Sequence, residues 1–370
     1  MSSPAGTDLE AGQSPQTASP GGVLHWAGPP LRLTPVMAKA RAIVKRRKAV
    51  RNIRKITRTM QMIATAKFQK ALKRAVGTKP YTLKVRELVM DLLSSVGEIR
   101  HPLMRVPGGE TASNRLALIV ITSNRGLAGG YNGNVLRTAS AFIRQQEAAG
   151  KSIELHLSGK KGVTFFNYQK RPIAHRYEQF ADQPRYSEVE RIAGGLMDRF
   201  VEGQIDGLYV AFMNFLSAST QKPEVLKLLP LEGARAAAEH LAQQAAEVLG
   251  SHERLSALDA RQAGVIAGSG IGRVAKAQAH VAAEVQYDFS PGPRELLDYL
   301  LPLTVKTALF QCFLDATTSE NVARMVSMKS ATDNADQIEK VLTMRYNRAR
   351  QSQITTELSE IMGGVEAMKS

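Results

Sequence analysis

The chain has one cysteine, Cys312, in 370 residues. An internal disulfide is therefore impossible, and a metal centre built on clustered thiolates goes with it. Its apolar setting, LFQCFLDA, reads as a buried, inert thiol of a reducing compartment. Long apolar runs are also missing: no stretch of about 18 apolar residues is present, so no segment reads as a bilayer span. The chain carries 33 acidic residues, yet none falls between Glu10 and Glu87. Aromatic residues are only 6% of the total. The basic stretch near the start has just Phe68, which leaves no row of stacking platforms for single-stranded nucleic acid. The seven histidines are scattered without metal-ligand spacing, and no serine sits in a nucleophile elbow. No catalytic residue, metal or cofactor is expected.

Proline and glycine are missing where it matters most. From Ser319 to Met362 there is neither, and the same holds from Met37 to Val76. Each costs about 1 to 3 kcal/mol in a helix interior, so both stretches read as long helices. The first of these would be a rod of roughly 65 to 75 Å. Its apolar positions, Val322, Met325, Met328, Thr332, Ala335, Ile338, Leu342, Tyr346 and Ala349, then Ile354, Leu358 and Ile361, recur at intervals of three and four. The N-terminal stretch shows the same habit at Ile43, Val50, Ile53, Ile56, Met60 and Ile63. Two such stripes predict two helices that pair antiparallel as a coiled coil, with a globular middle inserted between them.

What is present in excess is positive charge. The net charge is +16, and Lys39, Arg41, Lys45, Arg46, Arg47, Lys48, Arg51, Arg54, Lys55 and Arg58 crowd the first long helix. A helix this basic wants an anionic partner: nucleic acid, a lipid surface or acidic loops of another protein. Charge alone leaves that choice open. A basic coiled-coil nucleic-acid-binding protein is the alternative it supports, although the basic residues share their helix with the apolar stripe instead of preceding it as in a basic zipper.

Taken in order, residues 1–36 are rich in Pro, Gly and Ser, lack a period, and read as a disordered extension. Met37 reads as a natural chain start, so an over-long reading frame is expected. Residues 37–111 hold the N-terminal coiled-coil helix and, after Gly77 and Pro80, a second amphipathic helix from Tyr81 to Val96. Residues 112–230 alternate short apolar strands, at Leu116–Ile121, Ile153–Leu157 and Leu208–Phe215, with helices at Asn134–Gln146 and Ser187–Val201. That alternation predicts an α/β domain with a largely parallel, Rossmann-like sheet. Residues 231–289 read as an Ala-rich helical hairpin with glycines at its bend. Residues 290–370 carry a short helix ending at Pro302, then the C-terminal coiled-coil helix.

One loop invites a chemical reading. TSNRGLAGGYNGN (Thr122–Asn134) brings Gly126, Gly129 and Gly130 to a strand-to-helix turn, where backbone N–H groups can hold phosphate. It matches neither the dinucleotide fingerprint nor the P-loop, and no acid follows about 20 positions later to hold a ribose. No small-molecule ligand is expected there, and a nucleotide-dependent enzyme remains a third, weaker reading.

Four segments stand out: AKARAIVKRRKAVRNIRKITRTMQMIATAKF (Ala38–Phe68), ITSNRGLAGGYNGN (Ile121–Asn134), QKPEVLKLLPL (Gln221–Leu231) and SENVARMVSMKSATDNADQIEKVLTMRYNRARQSQITTELSEIMGG (Ser319–Gly364). Together they resemble one family, the gamma subunit of F-type ATP synthases. The resemblance implies a central rotor shaft turning inside a hexameric ring of alpha and beta subunits. The α/β domain would be a foot touching the epsilon subunit and the c-ring. Catalysis would belong to the beta subunits, and the complex would sit on the cytoplasmic side of a bacterial inner membrane.

Carried over by position, the resemblance implies ring contacts at Lys55, Arg58, Met60, Arg350, Gln351, Thr355 and Glu357. It implies an apolar tip at Ile354, Leu358, Ile361 and Met362, within a bearing that extends to Met368. The chain departs from the family at Asn124, where an acid is common, at Ala128, where a cysteine is, and at Gln61, where a glutamate is. The insertion falls where some relatives carry a regulatory segment; with Cys312 alone a dithiol switch is excluded, and a brake or stabiliser that touches neighbouring subunits is expected instead.

Overall fold

The structure, a computed structural model, describes residues 35–95, 101–105, 113–178, 180, 183–231 and 292–368. The expected disordered extension, save its last two residues, and the Ala-rich insertion lie outside the described residues. The chain divides into two compact units, Lys48–Val341 and Met1–Arg47 with Leu342–Ser370.

The larger unit is built on a five-stranded sheet. Its strands are β1 (Arg115–Ile121), β2 (Ser152–Ser158), β3 (His175–Tyr177), β4 (Gly207–Phe215) and β5 (Gln221–Leu229), in spatial order β3-β2-β1-β4-β5. The first four are parallel and β5 returns antiparallel to β4. The sequence RLALIVI of β1 is apolar on both sides because both faces are covered. Ala117, Ile119 and Ile121 enter one core with Leu208, Val210 and Phe212 and with Val189, Leu196 and Phe200 of α4 (Tyr186–Val201). Leu118 and Val120 enter the other with Val135, Ala139 and Ile143 of α2 (Tyr131–Ala148) and Phe166 of α3 (Lys160–Tyr168).

Two long helices stand among the described residues, α1 (Pro35–Ser95) and α5 (Pro293–Ala367). Both run through prolines that were expected to end them. At Pro80 the helix loses one N–H and gains a steric clash, at a cost of about 3 kcal/mol. Ala75, Val85, Val89 and Leu92 are buried on either side, and each buried apolar side chain returns about 1.5 to 3 kcal/mol when large. Tertiary packing therefore overrides the local break, with Thr78 and Thr82 hydroxyls bonding back to the Arg74 and Thr78 carbonyls. Pro302 is outweighed in the same way by Leu297, Leu300, Leu301, Val305 and Leu309, all in the first core.

One stretch within Glu295–Ala367 is apolar and long enough to cross a membrane by composition. Those leucines and their neighbours Cys312 and Phe313 are the core side chains of the sheet's α4 face, which accounts for the apolarity.

Within the larger unit α1 and α5 run antiparallel, because partners fall in number on one as they rise on the other. Arg51 pairs with Glu339, Arg54 with Asp336, and the Thr57 and Thr332 hydroxyls meet at 2.8 Å. The seam differs from the expected stripe on α1. Thr57, Ala64, Phe68 and Ala75 are buried, whereas Ile53, Ile56 and Ile63 are each more than half exposed. Small side chains let two helices approach closely, and the isoleucines then point elsewhere. On α5 the expected positions Val322, Met328, Thr332, Ala335 and Leu342 are buried, but Ile338 is 50% exposed.

Candidate functional site

The loop after β1 sits at the carboxyl ends of the parallel strands, where open α/β sheets hold ligands. Here that crevice is filled by α5. The Ser319 hydroxyl donates to the Met213 carbonyl (3.3 Å), and Arg324 reaches the Arg125 carbonyl (3.5 Å) and Glu320 (2.6 Å). Gly129, at φ +54°, lays its backbone against Ser327 and Ala323, with a Cβ there 3.7 Å from the Ser327 Cβ. A cavity of about 40 Å³ remains between the loop and α5. That is room for a water or two, not a nucleotide.

The loop's polar groups are spent on its own structure. Asn132 Oδ1 accepts the Ser123 N–H at 2.9 Å, and the Ser123 hydroxyl donates to the Arg125 carbonyl at 2.6 Å. Asn124 uses both ends of its amide: Nδ2 donates to the Phe180 carbonyl (2.9 Å) and Oδ1 accepts the Lys160 N–H (3.2 Å). A carboxylate at 124 could not make the first of these bonds. Tyr131 opens α2 fully buried, with its hydroxyl 3.4 Å from the Ile121 carbonyl. Burial, then the nearby Glu320, pushes its phenol well above the usual range, so it is a fixed neutral strut. Ala128 is buried in the second core. The glycine-rich loop is thus a joint between sheet and helix.

The exposed surface of the long helices is the remaining candidate. Arg51, Lys55 and Arg58 recur at intervals of three and four and share one face of α1; with Arg54 and Glu339 they line an open groove. Lys55 and Arg58 are exposed and Met60 is half-buried. Among the described residues four cations face two acids here, Asp336 and Glu339, so the groove keeps a positive excess. The resemblance named Lys55, Arg58 and Met60; Arg51 and Arg54 were read only as part of the basic helix, and Glu339 was passed over. The signal for the paired set is the spacing of basic residues on α1 against acids on α5, which becomes visible only once the pairing register is known.

In the smaller unit the Arg47 guanidinium lies over the Tyr346 ring, 5.0 Å from its centroid. Arg350, Gln351, Thr355 and Glu357 are all exposed. The Thr355 hydroxyl bonds back to the Gln351 carbonyl (3.0 Å), and Gln353, which the sequence reading left out, donates to Glu357 (2.8 Å). Ile354, Leu358, Ile361 and Met362 are 44%, 55%, 63% and 71% exposed. Most of the large apolar side chains that stand exposed among the described residues belong to α1 and α5, including Val44, Ile53, Ile56, Ile63, Val341 and Met344. Large exposed apolar surface of this kind marks a place where another protein packs.

Comparison with known proteins follows the same line. A family model described as ATP synthase matches residues 39–368. The ATP synthase gamma chain of Rhodopirellula baltica is 39% identical over 333 residues, which is 90% of this chain and 100% of that one. The ATP synthase gamma chain of Leptospira biflexa is 35% identical over 332 residues, again 90% and 100%. Among solved structures, a chain of the Euglena gracilis mitochondrial ATP synthase in the assembly of OSCP, F1 and c-ring superposes with a TM-score of 0.53 at 16% identity. It covers 90% of this chain and 95% of that one, a likeness of fold. The nucleic-acid reading finds no support in any of these comparisons.

Proposed function

The chain belongs to the ATP synthase gamma-chain family and is the central-stalk rotor subunit of that enzyme; on this premise we propose how its two long helices do the work. They wind about each other as an antiparallel coiled coil and turn inside a ring of alpha and beta subunits. The Rossmann-like sheet domain is the foot, and it rests on the epsilon subunit and the c-ring at the cytoplasmic side of a bacterial inner membrane. Ion flow turns the c-ring, the foot turns with it, and the shaft drives the catalytic sites of the beta subunits through their states. This chain makes and breaks no bonds itself.

The observation that carries the reading is the inverted burial of α1. Its large apolar side chains Ile53, Ile56 and Ile63 face outward while Thr57 and Ala64 fill the seam. A surface of that kind suits a sleeve of changing apolar contact, because hydrophobic attraction is non-directional and survives rotation. Lys55, Arg58 and Met60, with Arg350, Gln351, Thr355 and Glu357, supply transient polar contacts on which the ring pushes. Ile354, Leu358, Ile361 and Met362 form the tip in its bearing. Arg51 and Arg54 add to the basic face that meets acidic loops of the ring.

The test is co-purification. A tagged copy expressed with its own operon should draw down alpha and beta subunits in a stable, ATP-hydrolysing assembly. Recovery of the chain free of them, or bound tightly to nucleic acid with a steep salt dependence, would contradict the reading.

A further inference from the structure

Within the larger unit the basic face of α1 carries counter-ions of its own. Arg51 donates through Nε to Glu339, while Arg54 donates through Nε to Asp336 and reaches Glu339 through Nη1 at 3.7 Å. The groove there, of about 260 Å³, is lined by Arg51, Arg54, Lys55, Arg58 and Glu339. Of the flanking exposed charges, Asp333 and Lys340 on α5 cancel, and Lys48 on α1 adds one more cation. Both helices are described without a gap along this stretch, over 48–78 on α1 and 301–341 on α5.

Folding has little need of the two acids. The Arg51 and Arg54 side chains are 53% and 40% exposed, and pairs at that exposure add little to stability, because ordering two long side chains nearly offsets their attraction. Nor can they choose how the helices pair. Lys48, Arg51, Arg54, Lys55 and Arg58 follow one another on α1 with no acid before Glu87, so an acid on α5 would meet a cation at almost any register.

What the acids do change is the field outside the helices. The Glu339 side chain is 17% exposed, less than either arginine, so its carboxylate lies at the floor of the groove with the guanidiniums at the surface. Two effects on an incoming acid oppose each other: the internal acids hold the arginines in place, and they cancel half of the charge of the four cations. The holding is weak for the reason just given, whereas cancellation acts wherever the side chains point, so cancellation wins. Arg51 uses only Nε on Glu339, and among the described residues its terminal nitrogens have no partner. A second carboxylate can take that fork before the first lets go, so neither arrival nor departure leaves a bare guanidinium.

We propose that Asp336 and Glu339 are internal competitors that loosen the hold of this basic face on the acidic loops of the ring, so that each contact made during a turn is also released. The proposal rests on the rotor reading, which supplies the ring as the occupant.

The experiment titrates the full chain with capped, fluorescein-labelled hexaglutamate at low salt, read by anisotropy. Asp336→Asn with Glu339→Gln should tighten binding about 3- to 10-fold. Glu360→Gln with Glu366→Gln, which changes the net charge equally at exposed positions of the same helix, should leave it nearly unchanged. Assembled with alpha and beta subunits, the Asp336→Asn/Glu339→Gln chain should support slower ATP hydrolysis than the parent at low salt and recover the parent's rate as salt is raised. Unchanged or weaker hexaglutamate binding, equal tightening by the second pair, or tighter binding with the parent's rate at every salt concentration would overturn the proposal. Failure of the parent chain itself to assemble with alpha and beta subunits would contradict the rotor reading, and with it the ring as the occupant.

Discussion

The sheet unit and the last turns of α5 follow opposite rules. In the sheet unit, Thr122, Ser123, Asn124 and Asn132 each have particular partners at particular distances, and the apolar residues of β1 are almost completely buried. From Gln351 to Met368 only Gln353 is less than exposed, and the side-chain hydrogen bonds of Gln353, Thr355 and Thr356 stay within the helix itself. On the proposed reading the sheet unit is a foot that must keep one shape, which suits directional and enclosed contacts. The end of α5, on the same reading, meets several neighbours in turn, which suits apolar and open ones.

Glycine breaks the comparison most sharply. At Gly159 φ is +94° and a Cβ would lie 2.1 Å from the Thr122 carbonyl oxygen. Gly159→Val should therefore cost more than about 3 kcal/mol and unfold the sheet unit in a urea titration. At Gly363 nothing lies within 4 Å of a Cβ, and Gly363→Ala should leave the urea midpoint within about 0.5 kcal/mol of the parent.

The opposite asymmetry is expected in function. Replacing Ile354 and Leu358 with Asp should abolish coupled ATP synthesis in the reconstituted complex while leaving the isolated chain's stability within about 0.5 kcal/mol. Unchanged synthesis would remove these residues from the bearing.

A smaller effect concerns pH. His156 titrates below its ordinary 6.5 in the folded chain because it is buried, so the unfolded chain binds more protons in that window. Its contribution is complete above about 6.5 and is lost as pH falls through the folded value. His101 adds an effect of the same sign, and Glu154, held down by Arg199, adds its own below 4.5. Stability should therefore fall from pH 7 to 5.5, and His156→Gln should flatten that slope. The smallest effect is at the helix pair: Glu339→Gln removes partners of Arg51 and Arg54, both well exposed, and should cost only about 0.2 to 1 kcal/mol, less at high salt.

The parts legible in the sequence were those where one local force dominates. The runs free of proline and glycine became the two helices, and RLALIVI became a strand buried on both faces. What misled was local chemistry overridden from a distance. Gly77, Pro80 and Pro302 spell breaks, yet the buried residues flanking them hold the helices straight through. The isoleucine stripe of α1 looked like a seam because apolar residues are usually inside, but the seam selects Thr57 and Ala64 for their size. Strand β3 has three residues, too few to show a period. Strand β5, QKPEVLKLL, carries a proline and two lysines because it is an edge, the composition that argues against a strand in isolation. The candidate surface was read through family likeness more than through chemistry, since exposure is the one property a sequence does not display.

The central claim, that this chain turns as a shaft, is most directly tested by rotation. With alpha and beta subunits fixed to a surface and a bead attached through an exposed cysteine introduced at Tyr168, ATP should drive the bead round in one direction in steps. A bead that stays still while the same assembly hydrolyses ATP at full rate would contradict it.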